Sequence, residues 1–204
     1  MTRVFKNSKR FMPTLLLISV NVAFYVLTSV LSGDFIQMNA EVLARYGQVN
    51  ILVLHGWYWQ LLTSMFVHVN IVHIVGNMVF LLIFGLRAEE VFSIEEYMLV
   101  YLLSGLAGNL LTLLLMDPLT ISAGASGAIF GMFGAVTIYV NRVMRQPIGS
   151  ALIYAFFMLI LSIGLNVNIF AHAGGLVVGL LLGYGFALRR KRPTANQFSY
   201  SYTT

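Results

Sequence analysis

The sequence has no cysteine. That excludes disulfide bonds and any thiol nucleophile. Charge is nearly as scarce: Asp, Glu, Lys and Arg make up 9% of the 204 residues, against about 25% in soluble globular chains. With 59% hydrophobic residues and a mean hydropathy of +0.85, the chain requires an apolar solvent, and the bilayer supplies one. There is no long polar linker, low-complexity tract or regular repeat. All seven carboxylates lie outside the long apolar runs: Asp34, Glu41 and Asp117 toward one boundary, Glu89, Glu90, Glu95 and Glu96 toward the other. A paired intramembrane aspartate mechanism is therefore excluded. Lys6, Lys9 and Lys191 also lie beyond the runs, which removes lysine as an intramembrane base. No H-E-x-x-H motif occurs, and a site built from histidines alone would need His68, His73 and His172 to converge.

What is present is a series of uncharged runs, at roughly 11–33, 66–86, 97–116, 121–141, 147–165 and 167–188. About 20 apolar residues cross a hydrocarbon core, so the expected fold class is an all-α polytopic membrane protein with six transmembrane helices. The second and fifth runs are short for spans, and only the polar patch around Asn166 and Asn168 divides the last two. With the N-terminus inside, six spans place Arg3, Lys6, Lys9, Arg10, Arg87, Arg142, Arg145, Arg189, Arg190, Lys191 and Arg192 in the cytoplasm and only Arg45 outside. Cytoplasmic loops favour Lys and Arg, and five or seven spans would put the Arg189–Arg192 cluster on the wrong side. The first run has a basic flank like a signal peptide, but no small-x-small cleavage site follows, so it reads as an uncleaved helix. The expected division is a basic cytoplasmic N-terminus over 1–11, a six-helix domain over 12–190, and a polar, disordered cytoplasmic tail over 191–204.

The long connection, residues 34–65 between the first two helices, contains "HGWYWQLLTSMF". Trp57, Tyr58 and Trp59 suit an interfacial aromatic anchor. The alternative is an ordered, membrane-associated loop beside a functional site, as long ordered loops often are.

Polar groups inside the runs are costly and call for a reason. His73 and Asn77, four apart, share one face of the second helix, with His68 nearer its outer end. His172 opens the sixth helix, and Asn109, in the third, reads as an interhelical hydrogen bond. Ser126 precedes Arg142 by 16 positions, His172 precedes Arg189 by 17, and His73 precedes Arg87 by 14. At about 1.5 Å per residue, these groups lie roughly 21–26 Å from the inner boundary, at one level. Gly175, Gly179 and Gly183 form a small-residue face that His172 heads, and Gly127, Gly131 and Gly134 form another below Ser126. Such faces allow close helix approach and would bring His172 to Ser126.

The stretch "SAGASGAIFGMFGAV" (122–136) thus offers both a packing surface and a serine. A serine hydroxyl needs a base, which histidine provides near neutral pH. The free N–H groups and positive dipole end of a helix start suit an oxyanion. A carboxylate would ordinarily orient the base. None lies in the spans, so the expected machinery is a Ser–His dyad. Ser122 has no partner in this reading and falls in the turn-rich segment before the helix.

At these residues the chain resembles the rhomboid family of intramembrane serine proteases. "GASG" (Gly124 to Gly127) is similar to the family's G-x-S-G, "HVNIVHIVGN" to its H-x4-H-x3-N, "HAGGLVVG" to its H-x2-G-x3-G, and "GLRAE" (Gly85 to Glu89) to the end of its second helix. The resemblance covers roughly residues 12–190. It implies peptide-bond hydrolysis in or near a substrate's transmembrane helix, with Ser126 as nucleophile and His172 as general base. It further implies an oxyanion site from the Ser126 N–H, His73 and Asn77. Gly127, with Gly175 and Gly179, would allow close packing. Phe130 would stack on the base where the family often has tyrosine, and Gln60 stands where the family's loop usually has arginine, which leaves the loop's anchoring open. The long loop would be a membrane-embedded hairpin, and the fifth helix, with Phe156, Phe157 and Met158, a lateral gate.

The implied partners are transmembrane protein substrates and the lipid bilayer. No cofactor, metal or nucleic acid is implied. The implied location is a bacterial inner membrane, with both termini cytoplasmic and the site opening to the outer side. Two other readings stand beside this one. The first is a non-catalytic rhomboid-like protein that binds membrane clients, against which both Ser126 and His172 are present. The second is a small transporter, which would be expected to show broken helices or internal symmetry.

Overall fold

In the computed structural model, which describes residues 12–162, 164 and 167–190, the apolar runs become helices, several of which begin at a capping polar side chain. In chain order the elements are α1 (Met12–Ser32), α2 (Ala40–Tyr46), β1 (Gln48–Val49), α3 (Asn50–Leu54), α4 (Gln60–Thr63), α5 (Ile71–Val91), α6 (Ile94–Leu115), β2 (Ile121–Ser122), α7 (Ser126–Val143), α8 (Ile148–Leu161) and α9 (Ile169–Arg189). Four of them, α1, α5, α6 and α9, are long and apolar enough to cross a membrane.

The second apolar run does not begin its helix at residue 66. Asn70 stands first, and its side chain accepts from the His73 N–H at 2.8 Å. Capping satisfies a donor that the first turn cannot use internally. The helix nevertheless has 21 residues and is not short, because it runs past Arg87 to Val91. His68 precedes it, and Arg87 lies inside it. Likewise α6 begins at Ile94 because Ser93 and Glu96 form a reciprocal capping box. Residues 121 and 122, expected in the fourth helix, form β2 instead. The fifth helix is indeed short, at 14 residues. The basic residues of the N-terminus, Lys191, Arg192, Asn166 and the tail lie outside the described residues.

The centre of the structure is α7, which packs on α5, α6, α8 and α9. Its face of small residues lets neighbouring backbones approach. A Cβ built on Gly175 would collide with the Gly127 carbonyl, one on Gly179 with that of Gly131, and one on Gly183 with that of Ala135. The two glycine stripes thus meet, as their spacing predicts. Around them, Met65, Leu81, Tyr97, Val100, Tyr101 and Met132 form a tightly buried cluster. Large apolar side chains on α1, α5 and α8 point outward, among them Leu16, Val72, Phe156 and Phe157, as a lipid-facing surface requires.

The 34–65 segment is ordered by buried amides. β1 pairs antiparallel with β2, Gln48 opposite Ser122 and Val49 opposite Ile121. Among the described residues, this two-residue pairing and an isolated bridge between Gln37 and Asn70 are the departures from an all-α architecture. Gln60 is fully buried, donating to the Ala44 carbonyl at 2.7 Å and accepting from the Val49 N–H at 2.9 Å. Asn50 donates to the carbonyls of Thr112, Met116 and Asp117 at the end of α6. Asn109 donates to Leu61 O and Ser64 Oγ at 2.8 and 2.9 Å, the tertiary bond its sequence position predicts. The aromatic residues remain at the surface: Tyr58 and Trp59 are exposed, and the Trp57 and Trp59 rings stack at 4.9 Å.

Candidate active site

Gly124 prepares the start of α7. Its φ of +131° lies where L side chains rarely sit, and an added Cβ would come within 2.7 Å of the His73 ring. Its N–H donates to Ser64 O at 2.8 Å, which ties the turn to the long loop. The helix then begins at Ser126 with no side-chain cap, so the first-turn N–H groups have no capping acceptor.

Ser126, His73, Asn77, Phe130 and His172 all line one cavity of about 820 Å³. The elements that deliver them are α7 for Ser126 and Phe130, α5 for His73 and Asn77, and α9 for His172. Gly127 brings α9 close, since a Cβ there would lie 3.1 Å from the Ala171 carbonyl oxygen, one residue before His172. The Phe130 ring lies flat on the His172 imidazole, with centroids 4.2 Å apart and planes 12° from parallel. Among the described residues no hydrogen bond joins Ser126 to His172. Such contacts commonly tighten only when substrate binds.

His73 is held from two sides, by Gly124 and by the buried His68, whose ring packs edge-on at 5.2 Å. One Asn77 N–H donates to the His73 carbonyl at 2.9 Å; a side-chain amide has a second N–H to offer. Phe130 also joins Ala155 and Leu176 in a small apolar cluster, against which Met158 of α8 packs. Met158 lines the cavity while Phe156 and Phe157 face outward.

Several polar residues at this site carry no signal in the sequence reading. Ser162, just after α8, has its Oγ 3.0 Å from His172 Nδ1. Asn168 caps α9 through the Ala171 N–H and donates to Thr112 Oγ1 at 2.8 Å and to Ser122 Oγ at 2.9 Å. Ser122 therefore does have a partner. In the sequence Asn168 reads only as part of a break between two apolar runs; its place at a helix start, four residues before His172, is the available cue.

The family model described as the Rhomboid domain matches residues 55–189, which includes each of these cavity residues. RHOMBOID-like protein 6, mitochondrial, of Arabidopsis thaliana is 39% identical over 132 residues, covering 62% of this chain and 43% of the relative. Rhomboid-like protease 3 of Toxoplasma gondii is 32% identical over 170 residues, covering 79% of this chain and 64% of the relative. Rhomboid protease GluP of Bacillus subtilis (strain 168) is 32% identical over 195 residues, covering 91% of this chain and 36% of the relative. The chain thus spans less than two thirds of the length of each.

Proposed function

This chain belongs to the rhomboid family, and from that premise we propose that it is an intramembrane serine endopeptidase working through a Ser126–His172 dyad. The observation that carries the reading is the meeting of two glycine faces, which places a serine at an uncapped helix start and a histidine in the same cavity, with Phe130 stacked on the histidine ring. His172 accepts the Ser126 proton as Oγ attacks the substrate carbonyl, then returns it to the leaving amine. The Ser126 N–H, the His73 ring and the free Asn77 N–H stabilise the oxyanion. Water then releases the acyl-enzyme. The chemistry calls for no cofactor.

The catalytic unit is residues 12–190, crossing the bilayer six times, with α7 buried at the centre of the bundle and the short α8 at its edge. The Lys and Arg asymmetry supports cytoplasmic termini and a site opening to the opposite face. Residues 34–65 form the hairpin on that face, and α8 is the lateral gate, consistent with its outward phenylalanines. Substrates are transmembrane proteins whose helices unwind locally. Names of relatives such as Rhomboid protease GluP agree with proteolysis.

The deciding experiment compares cleavage of a model transmembrane substrate in detergent by wild type, Ser126→Ala and His172→Ala. Loss of cleavage in both variants is expected, together with fluorophosphonate labelling of wild type that Ser126→Ala abolishes. Equal cleavage by all three proteins would refute the dyad.

A further inference from the structure

A dyad lacks the third group that fixes which imidazole nitrogen carries the proton. We infer that Ser162 fills that position: its hydroxyl oxygen accepts a hydrogen bond from His172 Nδ1–H and so holds Nε2 as the free base. The inference rests on the reading of His172 as the base. It concerns how that base is oriented.

Proton accounting carries the argument. Ser162 Oγ donates its single proton to the Leu159 carbonyl at 2.7 Å. A hydroxyl has one donor and two acceptor sites. With the donor committed, the 3.0 Å contact to His172 Nδ1 is satisfied only if the ring nitrogen donates. A neutral imidazole carries one N–H, so the lone pair is left on Nε2. The Leu159 carbonyl also accepts the Ser162 N–H at 3.2 Å, which anchors the residue in the last turn of α8.

Two contacts then define the ring. Phe130, lying parallel at 4.2 Å, sets its plane. Ser162 sets its rotation within that plane. Neither contact alone would do both. The hydroxyl does for the tautomer what a carboxylate does in a triad, without the charge that burial among α7, α8 and α9 would penalise. Ser162 is thus a positioning residue, and it makes the orientation of the base depend on where α8 ends.

The test uses the full chain in detergent micelles, labelled with nitrogen-15 in histidine, with the His172 signals identified by their loss in His172→Gln. In wild type and in Ser126→Ala, neutral His172 is expected to carry its proton on Nδ1. Ser162→Ala is expected to shift population toward the Nε2–H tautomer. It should also lower kcat roughly three- to tenfold at unchanged KM, the scale of one neutral hydrogen bond, and Ser162→Thr should restore both. Neutral wild-type His172 protonated on Nε2 would overturn the inference, as would a Ser162→Ala protein with unaltered tautomer and kcat. The readouts separate the two claims. Cleavage surviving in Ser126→Ala defeats the dyad, while the wild-type spectrum still judges the Ser162 bond. If Ser162→Ala does not fold, the wild-type and Ser162→Thr spectra decide.

Discussion

Adding one methyl group at Gly179 should separate two helices. A Cβ at that position would lie 2.6 Å from both the carbonyl carbon and the Cα of Gly131. Carbon atoms pack at about 3.5–4.0 Å, so α7 and α9 must part by roughly 1 Å. The obstacle is backbone in a helix, and no rotamer change relieves it. Overpacking of this kind costs about 1–3 kcal/mol. Gly175→Ala meets the Gly127 backbone in the same way, three residues from His172 and one from Ser126, so its displacement falls on the reacting groups themselves. A misplacement of about 1 Å can lower rate by about 100-fold. Gly183→Ala clashes with Ala135, but 11 residues along the helix, roughly 16 Å from His172. Its cost should appear mainly in stability. Gly185 supplies the control on the same helix: nothing lies within 4 Å of its added Cβ, and Gly185→Ala should stabilise by about 0.5–1 kcal/mol through helix propensity. The assay is thermal unfolding in detergent paired with initial cleavage rates. Expected is an activity order of Gly185→Ala, Gly183→Ala, Gly179→Ala, Gly175→Ala, highest to lowest. Gly175→Ala matching Gly185→Ala in both stability and rate would refute the close-packed seam as the device that aligns the site.

Three further outcomes are expected. Gln60→Leu leaves the buried Ala44 carbonyl and Val49 N–H without their partner and should cost roughly 2–4 kcal/mol, read as a lowered unfolding midpoint; an unchanged midpoint would show that Gln60 does not anchor the loop. Asn168→Ala removes the α9 cap and both bonds to Thr112 and Ser122; a cap alone is worth about 1 kcal/mol, so a loss near 2 kcal/mol with a reduced kcat is expected, checked by the same two measurements. Phe130→Tyr should retain activity because the ring remains, whereas Phe130→Leu, which loses a stacking contact worth about 0.5–1.5 kcal/mol, should lower kcat several-fold; equal rates for the two would remove the stacking role.

Much of this protein is determined by its sequence alone, because its patterns are local. Helix periodicity put His73 and Asn77 on one face, the glycine repeats announced which faces could meet, and each apolar run became a helix near its expected place. The meeting of the two glycine faces follows because four-residue steps return to the same side of a helix, whereas the stacking of Phe130 on His172 was implied only by the family resemblance. Other features were decided only in three dimensions. The start of α5 depended on Asn70 reaching the His73 N–H, a competition for backbone donors that apolarity does not reveal. The strand pair of Gln48 with Ser122 joins segments more than 70 positions apart. Gln60 reads as a departure from a family pattern until its two buried backbone partners are seen. Ser162 and Asn168 are ordinary polar residues near a helix boundary; their work depends on which buried nitrogen or oxygen the packing of α6, α8 and α9 sets opposite them. Periodicity specifies which way a side chain faces along its own helix. A hydrogen bond between helices also requires their relative height and rotation, and those exist only once the helices have packed.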